Sequence, residues 1–194
     1  MTLPEATTAP SDDALVRAAQ QGDRAAFGHL YSRYARIVHG IVLSRVPHSD
    51  VEDLVQDVFL QALPRLTQLR DASKFPGWLA AIARNHASDF HRRTKPLDEL
   101  PSDGCEKSAE PNPAVPPNAH SHTEAHAALD AILALPESYR ETLILRLVEG
   151  MTGPEIAERT GLTHGSVRVN LHRGMQQLRE ILGRKAAPLA GGEL

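Results

Sequence analysis

Cationic and hydrogen-bonding side chains are concentrated near the C-terminus, in a segment with helical spacing. Residues 163–185 contain five basic residues and one acidic residue, a net charge of +4 in a chain whose overall charge is −3. A positive helix on a weakly acidic chain suits entry into a DNA groove, where base edges and phosphates are contacted together. The side chains expected on its outer face, and therefore the candidate DNA-binding residues, are His164, Ser166, Arg168, Val169, His172 and Arg173.

The residues before and within this helix have the spacing of a helix-turn-helix. Ala157 is small enough for two helices to cross closely, and Gly161, four residues later, can adopt a left-handed turn. Val167 then lies in the shared core, and Thr163 is the predicted N-cap of the second helix. A helical hairpin with a purely structural role and a solvated arginine face is the alternative interpretation.

A second basic segment lies between Arg70 and Arg93. It contains five basic and two acidic residues, and it mixes cations with amide and hydroxyl side chains, as contacts to bases and phosphates require. The loop at 66–74 could receive an unstacked base, whereas Trp78 lies on the inward stripe and is predicted to be core. Helix positions 84, 85, 88, 91 and 92 are expected to be exposed. The candidate DNA-binding residues here are Arg70, Lys74, Arg84, Asn85, Ser88, Arg92 and Arg93.

The helix predicted to start in a capping box at 49–52 has an acidic outer face. Acidic residues in a first turn also favour the helix dipole, so a solvated face is the simpler interpretation. Leu60 is apolar on this acidic side, which favours a protein partner whose basic groups surround an apolar spot. The candidate partner-binding residues are Asp50, Glu52, Asp53, Gln56, Asp57, Leu60 and Gln61.

The composition predicts an all-α protein with two small helical domains. Aromatic residues make up only 4% of the 194 residues, and the apolar side chains repeat with helical rather than strand spacing. Six prolines and a net charge of −3 set one segment apart as a flexible acidic linker. The predicted organisation is a disordered tail at 1–12, a four-helix domain at 13–93, the linker at 94–123, a helix-turn-helix domain at 124–183 with a second capping box at 152–155, and a disordered tail at 184–194.

No catalytic residue, metal or cofactor is predicted. The sequence has no glycine-rich phosphate loop, no His-Glu-x-x-His and no glycine-flanked nucleophilic serine. The single cysteine, Cys105, excludes a disulfide framework, and with no signal peptide or apolar span we expect a cytoplasmic protein without membrane insertion. His120, His122 and His126 have spacing that can hold zinc or nickel, but on a mobile acidic tether we interpret them as adventitious.

Several segments, taken in order, closely resemble the extracytoplasmic-function (ECF) sigma factors of bacterial RNA polymerase. The resemblance covers roughly 13–93 and 124–183, and it is carried by EDLVQDVFLQAL, WLAAIARNHASD with its terminal arginines, the proline-rich linker, and LPESYRETLILRLVEGMTGPEIAERTGLTHGSVRVNLHRGMQQLR. It implies a polymerase specificity subunit that directs core polymerase to specific promoters, and not an enzyme. A self-standing helix-turn-helix regulator, with an N-terminal sensing or dimerisation domain, is the alternative.

The resemblance also implies a division of labour. The acidic face would bind the β′ clamp helices of core polymerase. The β subunit of the polymerase would also contact the chain. The 66–74 loop and the following helix, with Asn85, would open and recognise the promoter −10 element, and the C-terminal helix would recognise the −35 element. The linker would thread toward the polymerase interior, and an anti-sigma factor would control the chain. Val169 and Asn170 depart from residues common in the family, so no particular −35 sequence is implied.

Overall fold

The computed structural model describes residues 10–94 and 124–186. Over these two ranges the chain forms α-helices linked by short turns and contains no strand, which confirms the predicted all-α class. The helices are α1 (Asp12–Gln20), α2 (Arg24–Leu43), α3 (Val51–Arg65), α4 (Phe75–Thr94), α5 (Glu124–Leu133), α6 (Glu137–Leu147), α7 (Gly153–Thr160) and α8 (His164–Ala186). Three 3₁₀ turns lie at His48–Asp50, Leu66–Gln68 and Ala72–Lys74.

Helix α2 is the centre of the N-terminal domain and contacts α1, α3 and α4. Its apolar residues recur every three or four positions, so Leu30, Tyr34, Ile37 and Ile41 form one fully buried face. The ring of Tyr34 packs edge-on against that of Phe75 with centroids 5.2 Å apart, at the start of α4. This packing fixes the direction in which α4 leaves the core.

Helix boundaries follow the local capping chemistry. Asp23 caps α2 by accepting hydrogen bonds from the backbone N–H groups of Ala25 and Ala26, at 2.8 and 3.1 Å. Ser11 caps α1 in the same way, so this helix starts at Asp12, inside the segment predicted as a tail. Helix α4 ends at Thr94 and α8 ends at Ala186, slightly past the predicted domain limits of 93 and 183.

The capping box predicted at 49–52 is wrong. The 3₁₀ turn His48–Asp50 leads directly into α3, and Asp50 makes no side-chain cap. The N–H of Val51 donates to the carbonyl of His48, so the turn itself satisfies a group that a cap would otherwise serve. Ser49 Oγ donates instead to the Asp50 carboxylate at 2.8 Å.

The helix-turn-helix has the predicted caps and turn. Thr152 and Glu155 form a capping box, with the Glu155 carboxylate 2.7 Å from the Thr152 backbone N. The hydrogen bonds from Thr152 lower the pKa of Glu155. Gly161 ends α7 with φ = 74°, the left-handed conformation that glycine adopts without a Cβ clash. Thr163 Oγ1 accepts from the backbone N–H of Ser166 at 3.1 Å, so it caps α8 as expected.

The two domains share one continuous hydrophobic core. Helix α2 contacts α6, and α4 contacts α7. A Cβ added at Gly40 of α2 would lie 2.7 Å from Leu145 Cδ2 of α6, so glycine permits this close approach. Across the second contact, a Cβ at Gly161 would lie 3.1 Å from the Gly77 Cα. No helix in the two described ranges is long and apolar enough to cross a lipid bilayer.

Candidate functional site

The outer face of α8 is open to solvent. Val167 is 1% exposed and points into the core, which turns the opposite side of the helix outward. In the described ranges neither Arg168 nor Arg173 has a carboxylate partner, and Val169 is 45% exposed. Every residue predicted to contact DNA from this helix is exposed: His164, Ser166, Arg168, Val169, His172 and Arg173.

Ser166 differs from the other residues of this face because its hydroxyl is engaged. Its Oγ lies 2.8 Å from Thr163 Oγ1, while its backbone N–H donates to the same atom. Since Thr163 is the cap of α8, Ser166 helps to fix the start of the helix. The Ser166 side chain therefore lies on the exposed face of α8 and also stabilises the N-terminus of that helix.

The outer face of α4 is less free than predicted. Asn85 is exposed, but Ser88 Oγ donates to the backbone carbonyl of Arg84 at 2.9 Å, and Arg92 pairs with Asp89 three residues before it. His91, expected to be exposed, is half-buried and contacts the backbone carbonyl of Arg45 through Nε2. The remaining candidates, Arg70, Lys74 and Arg93, are exposed.

The predicted exposure of Arg84 is wrong, because its guanidinium lies in the contact between the domains. Nη2 and Nε of Arg84 donate to the two carboxylate oxygens of Glu141, at 2.7 and 3.1 Å. Nη2 also donates to the backbone carbonyl of Thr160 at 3.2 Å. The local sequence of α4 gave no sign of these partners, which lie 57 and 76 residues further along the chain.

The segment 66–74 consists of two 3₁₀ turns held against α1. Gln20 Nε2 donates to the backbone carbonyls of Leu66 and Leu69, at 3.0 and 2.7 Å. At the exposed end, Asp71 accepts hydrogen bonds from the hydroxyl and backbone N–H of Ser73, which lower the pKa of Asp71. The segment is therefore anchored to α1 at Leu66 and Leu69, and it exposes Asp71 and Ser73 to solvent.

The acidic face of α3 is exposed over most of its predicted length. Glu52, Asp53, Gln56 and Asp57 are exposed, and Leu60 has 68% of its surface accessible.

Asp50 and Gln61, at the ends of this face, are half-buried. Gln61 Nε2 lies 2.9 Å from His86 Nδ1 on α4, and Asp57 lies 3.6 Å from Nε2 of the same ring. Gln61 and Asp57 therefore border the contact of α3 with α4.

Leu60 is part of a small apolar surface. Leu63 of α3 is 44% exposed and Tyr31 of α2 is 40% exposed. The Tyr31 ring contacts that of Phe59, with centroids 4.6 Å apart. Acidic side chains beside exposed apolar ones suit a partner with basic groups around an apolar centre.

Ion pairs across the domain contact were missed by sequence reasoning. Glu141 of α6 has a 6% exposed side chain and pairs with Arg45 Nη1 at 2.9 Å as well as with Arg84. Burial alone raises the pKa of Glu141, but the hydrogen bonds and charges of the two arginines outweigh it, so this pKa is lowered. A carboxylate directly before the apolar run TLIL of α6 was the available sequence signal.

A second ion-pair group lies at the end of α6. Glu149, 8% exposed on its side chain, accepts from Arg36 Nε at 3.3 Å and from His39 Nδ1 at 2.7 Å. The hydrogen bond to Glu149 raises the pKa of His39, although burial acts in the opposite direction.

The predicted histidine cluster His120, His122 and His126 lies outside the residues whose side chains the structure describes. Among the side chains that are described, no group of three potential metal ligands comes together.

Comparison with known proteins matches both domains. Residues 30–96 match Sigma-70 region 2, and residues 125–178 match Sigma-70, region 4. The chain is 33% identical over 165 residues to the RNA polymerase sigma factor CarQ of Myxococcus xanthus, covering 84% of this chain and 93% of CarQ. It is 32% identical over 187 residues to the ECF RNA polymerase sigma-E factor of Haemophilus influenzae, covering 92% and 97%. The chain belongs to the ECF sigma factor family.

Solved structures share the fold of this ECF sigma factor. CnrH, in complex with the cytosolic domain of CnrY, has a TM-score of 0.60 at 24% identity and covers 90% of this chain and 99% of that one. The sigma factor RpoE in complex with the anti-sigma factor NepR, from Bartonella quintana, has a TM-score of 0.54 at 21% identity, covering 81% and 96%. These similarities support the assignment of two helical domains.

Proposed function

We propose that this ECF sigma factor directs core RNA polymerase to two-part promoters and helps to open the −10 element, without a catalytic site of its own. The observation that carries the proposal is the exposed cationic face of α8, which is part of a helix-turn-helix. The same chain carries a second basic segment, between Arg70 and Arg93, in its N-terminal domain. One domain contacts −35, the other contacts −10 and polymerase, and the segment 94–123 links them. The site of action is the cytoplasm.

Helix α8 enters the major groove of the −35 element. Arg168 and Arg173 extend without carboxylate partners in the described ranges, so both guanidinium groups are available for guanine edges or phosphates. His164, Val169 and His172 complete the contact surface. Asn170, which is half-buried near the domain contact, lies outside it.

Helix α4 and the 66–74 segment contact the −10 element. Asn85 presents an exposed amide, which can form two hydrogen bonds with a base edge. Arg70 and Lys74, before α4, and Arg93, near its C-terminal end, are exposed and act as phosphate contacts. Arg84 joins this set when the two domains separate.

The acidic face of α3, with the apolar surface around Leu60, binds core polymerase through its β′ clamp helices. The β subunit provides further contacts. Control by an anti-sigma factor is part of the proposal; it is supported by the similar fold of RpoE, which was solved in complex with the anti-sigma factor NepR.

Purified chain, core polymerase and a randomised promoter library test the proposal. We expect selection of asymmetric two-part sites that require polymerase, together with permanganate-reactive thymines near −10. A self-standing regulator would instead bind palindromic DNA as a dimer without polymerase. That result would overturn the proposal.

The polymerase-binding surface has its own test. Asp53→Arg with Gln56→Arg reverses one exposed charge and adds a second cation beside it, while leaving Asp57 and its neighbour His86 untouched. Repulsion from a basic partner should reduce capture of core polymerase by more than about tenfold. Glu158→Arg, an exposed charge reversal on α7, is the matched control and should retain capture. Unchanged capture by the α3 variant, with unchanged circular dichroism, would exclude this face.

A further inference from the structure

The contact between the two domains is built from buried carboxylates on one side and cations on the other. Glu149 meets Arg36 and His39 at one end, as described above. Glu141 meets Arg45 and Arg84 at the other. In the described part of the chain, each of these two carboxylates finds its ion-pair partners on the opposite domain. Glu141 and Glu149 therefore keep these ion-pair partners only while the domains are together.

The contact of Arg84 with Glu141 has the geometry of phosphate recognition. Two nitrogens of one guanidinium face two oxygens of one carboxylate, at 2.7 and 3.1 Å. Arginine binds a DNA phosphate through the same parallel pair of hydrogen bonds. Arg84 cannot make both contacts at once.

The closed arrangement is also too small to span a promoter. About 150 residues in a compact body have a radius of gyration of roughly 15 Å, which corresponds to a diameter of about 40 Å. Elements centred at −10 and −35 are about 25 base pairs apart, or about 85 Å at about 3.4 Å per base pair. Binding both elements therefore requires the domains to separate.

We infer that the free chain holds itself closed through Glu141, which occupies Arg84 in place of promoter DNA and keeps the two DNA-binding domains too close to span a promoter. Glu141, Arg45 and Arg84 are here called the Glu141 latch. This inference rests on the proposed function, since it concerns access to that function's DNA contacts. It adds an internal competitor that acts without any partner protein.

The energetics of buried ion pairs suit a contact that must open. Removing charges from water offsets much of their attraction, so a complete buried pair holds two surfaces together without a large net gain. Loss of one member is different, because its partners stay buried with uncompensated charge. Neutralising Glu141 should therefore drive the domains apart, where Arg45 and Arg84 can be hydrated.

A disulfide across the contact measures closure directly. Glu149 Cγ lies 3.1 Å from a Cβ built at Gly40, close to the roughly 3 Å between Cβ and the distant sulfur in a disulfide. The full chain with Gly40→Cys and Glu149→Cys, in a Cys105→Ser background, is oxidised under native conditions. Its rate of disulfide formation is compared with and without Glu141→Gln. Glu137→Gln is the matched control, because Glu137 pairs with the same Arg45 but is 59% exposed.

Glu149→Cys removes one carboxylate of the contact in every variant compared, so the test is the difference in rate that the second substitution makes. Glu141→Gln should slow disulfide formation by more than about tenfold, whereas Glu137→Gln should change its rate by less than about threefold. Equal rates with and without Glu141→Gln would overturn the latch. Arg84→Gln breaks the same pair from the other domain, and it replaces Glu141→Gln in the comparison if that variant loses its helical circular dichroism.

Transcription with core polymerase tests whether closure inhibits. The oxidised variant should be inactive, and reduction by dithiothreitol should restore promoter-dependent transcription. Full activity of the oxidised protein would overturn the inference. Inactivity of the wild-type chain with polymerase would instead overturn the proposed function, while the disulfide rates would still decide whether the latch exists.

Discussion

The outer faces of α4 and α8 carry the same kinds of side chain but lie in different environments. On α8, Arg168 and Arg173 are exposed and, within the described residues, without carboxylate partners. On α4, Arg84 is bound to Glu141 and Arg92 to Asp89. The α8 face is available as it stands, whereas under the proposed function Arg84 joins the α4 face only after the domains separate.

This difference separates two kinds of proposed DNA contact. A face that is already open can be tested by changing its base-contacting residues one at a time. A face that is engaged within the protein gives effects that mix DNA contact with domain opening. Arg84 is therefore a poor probe of −10 recognition, and the exposed Asn85 is a better one.

The largest expected effect comes from Arg168→Ala on the open face. Arg168 lies near the N-terminus of α8, where helix-turn-helix proteins contact base edges. Loss of a bidentate contact with guanine costs about 1–3 kcal/mol, or roughly 5- to 150-fold, at the position contacted. Transcription from a randomised −35 library should show relaxed preference at one or two positions.

Arg173→Ala is the contrast within the same helix. The two arginines are about 140° apart around the helix axis, since each residue turns the helix by about 100°. We expect Arg173 to neutralise a phosphate, so its loss should weaken all promoters similarly and reduce the salt dependence by about one charge. If both variants keep the wild-type preference and salt slope, α8 does not enter the groove as proposed.

The helix-turn-helix could be predicted from sequence because its determinants are local. The Thr152 box and the turn at Gly161 depend on residues within a few positions of each other. The exposure of Arg84 was predicted wrongly because its partner, Glu141, is distant in the chain. The error at 49–52 has a related cause: a 3₁₀ turn replaced the cap, and the pattern of residue types does not distinguish the two.

Asn85→Ala tests the α4 face without disturbing the latch. An amide contributes little to phosphate binding but can bond a base edge. The variant should reduce promoter opening, measured by permanganate reactivity, by about tenfold while closed-complex affinity changes little. Gln21→Ala removes another exposed amide, outside the candidate residues and the 66–74 segment, and is the control. Equal loss of binding and opening would indicate a structural role for Asn85.

Val169 offers a smaller and more specific effect on the open face. Its methyl groups are exposed among cations and can contact the methyl group of a thymine. Replacing each −35 thymine by deoxyuridine, which lacks that methyl, should weaken wild-type binding at one position by about fourfold. Val169→Ala should be nearly insensitive to the same replacement. An equal response of both proteins would exclude the contact.

The smallest expected effect is a pH dependence of the domain contact, through His39. The hydrogen bond to Glu149 raises the pKa of His39 above its ordinary value of 6.5 in spite of partial burial. The protonated ring therefore stabilises the closed form fully below pH 6.5, and this contribution is lost as the pH rises through the raised pKa. Besides Glu149, the carboxylate of Glu52 acts on His39, and its charge also raises the pKa of His39.

A pair of fluorophores, one on each domain, measures this effect in the full chain. The open fraction should increase by a few-fold between about pH 6 and pH 9, because Arg36 continues to hold Glu149 throughout. His39→Asn keeps a donor for Glu149 but cannot titrate, and it should abolish the increase while leaving α8 accessible at every pH. An unchanged pH profile in His39→Asn would assign the opening to another group, and the difference between the α4 and α8 faces would then depend on Glu141 alone.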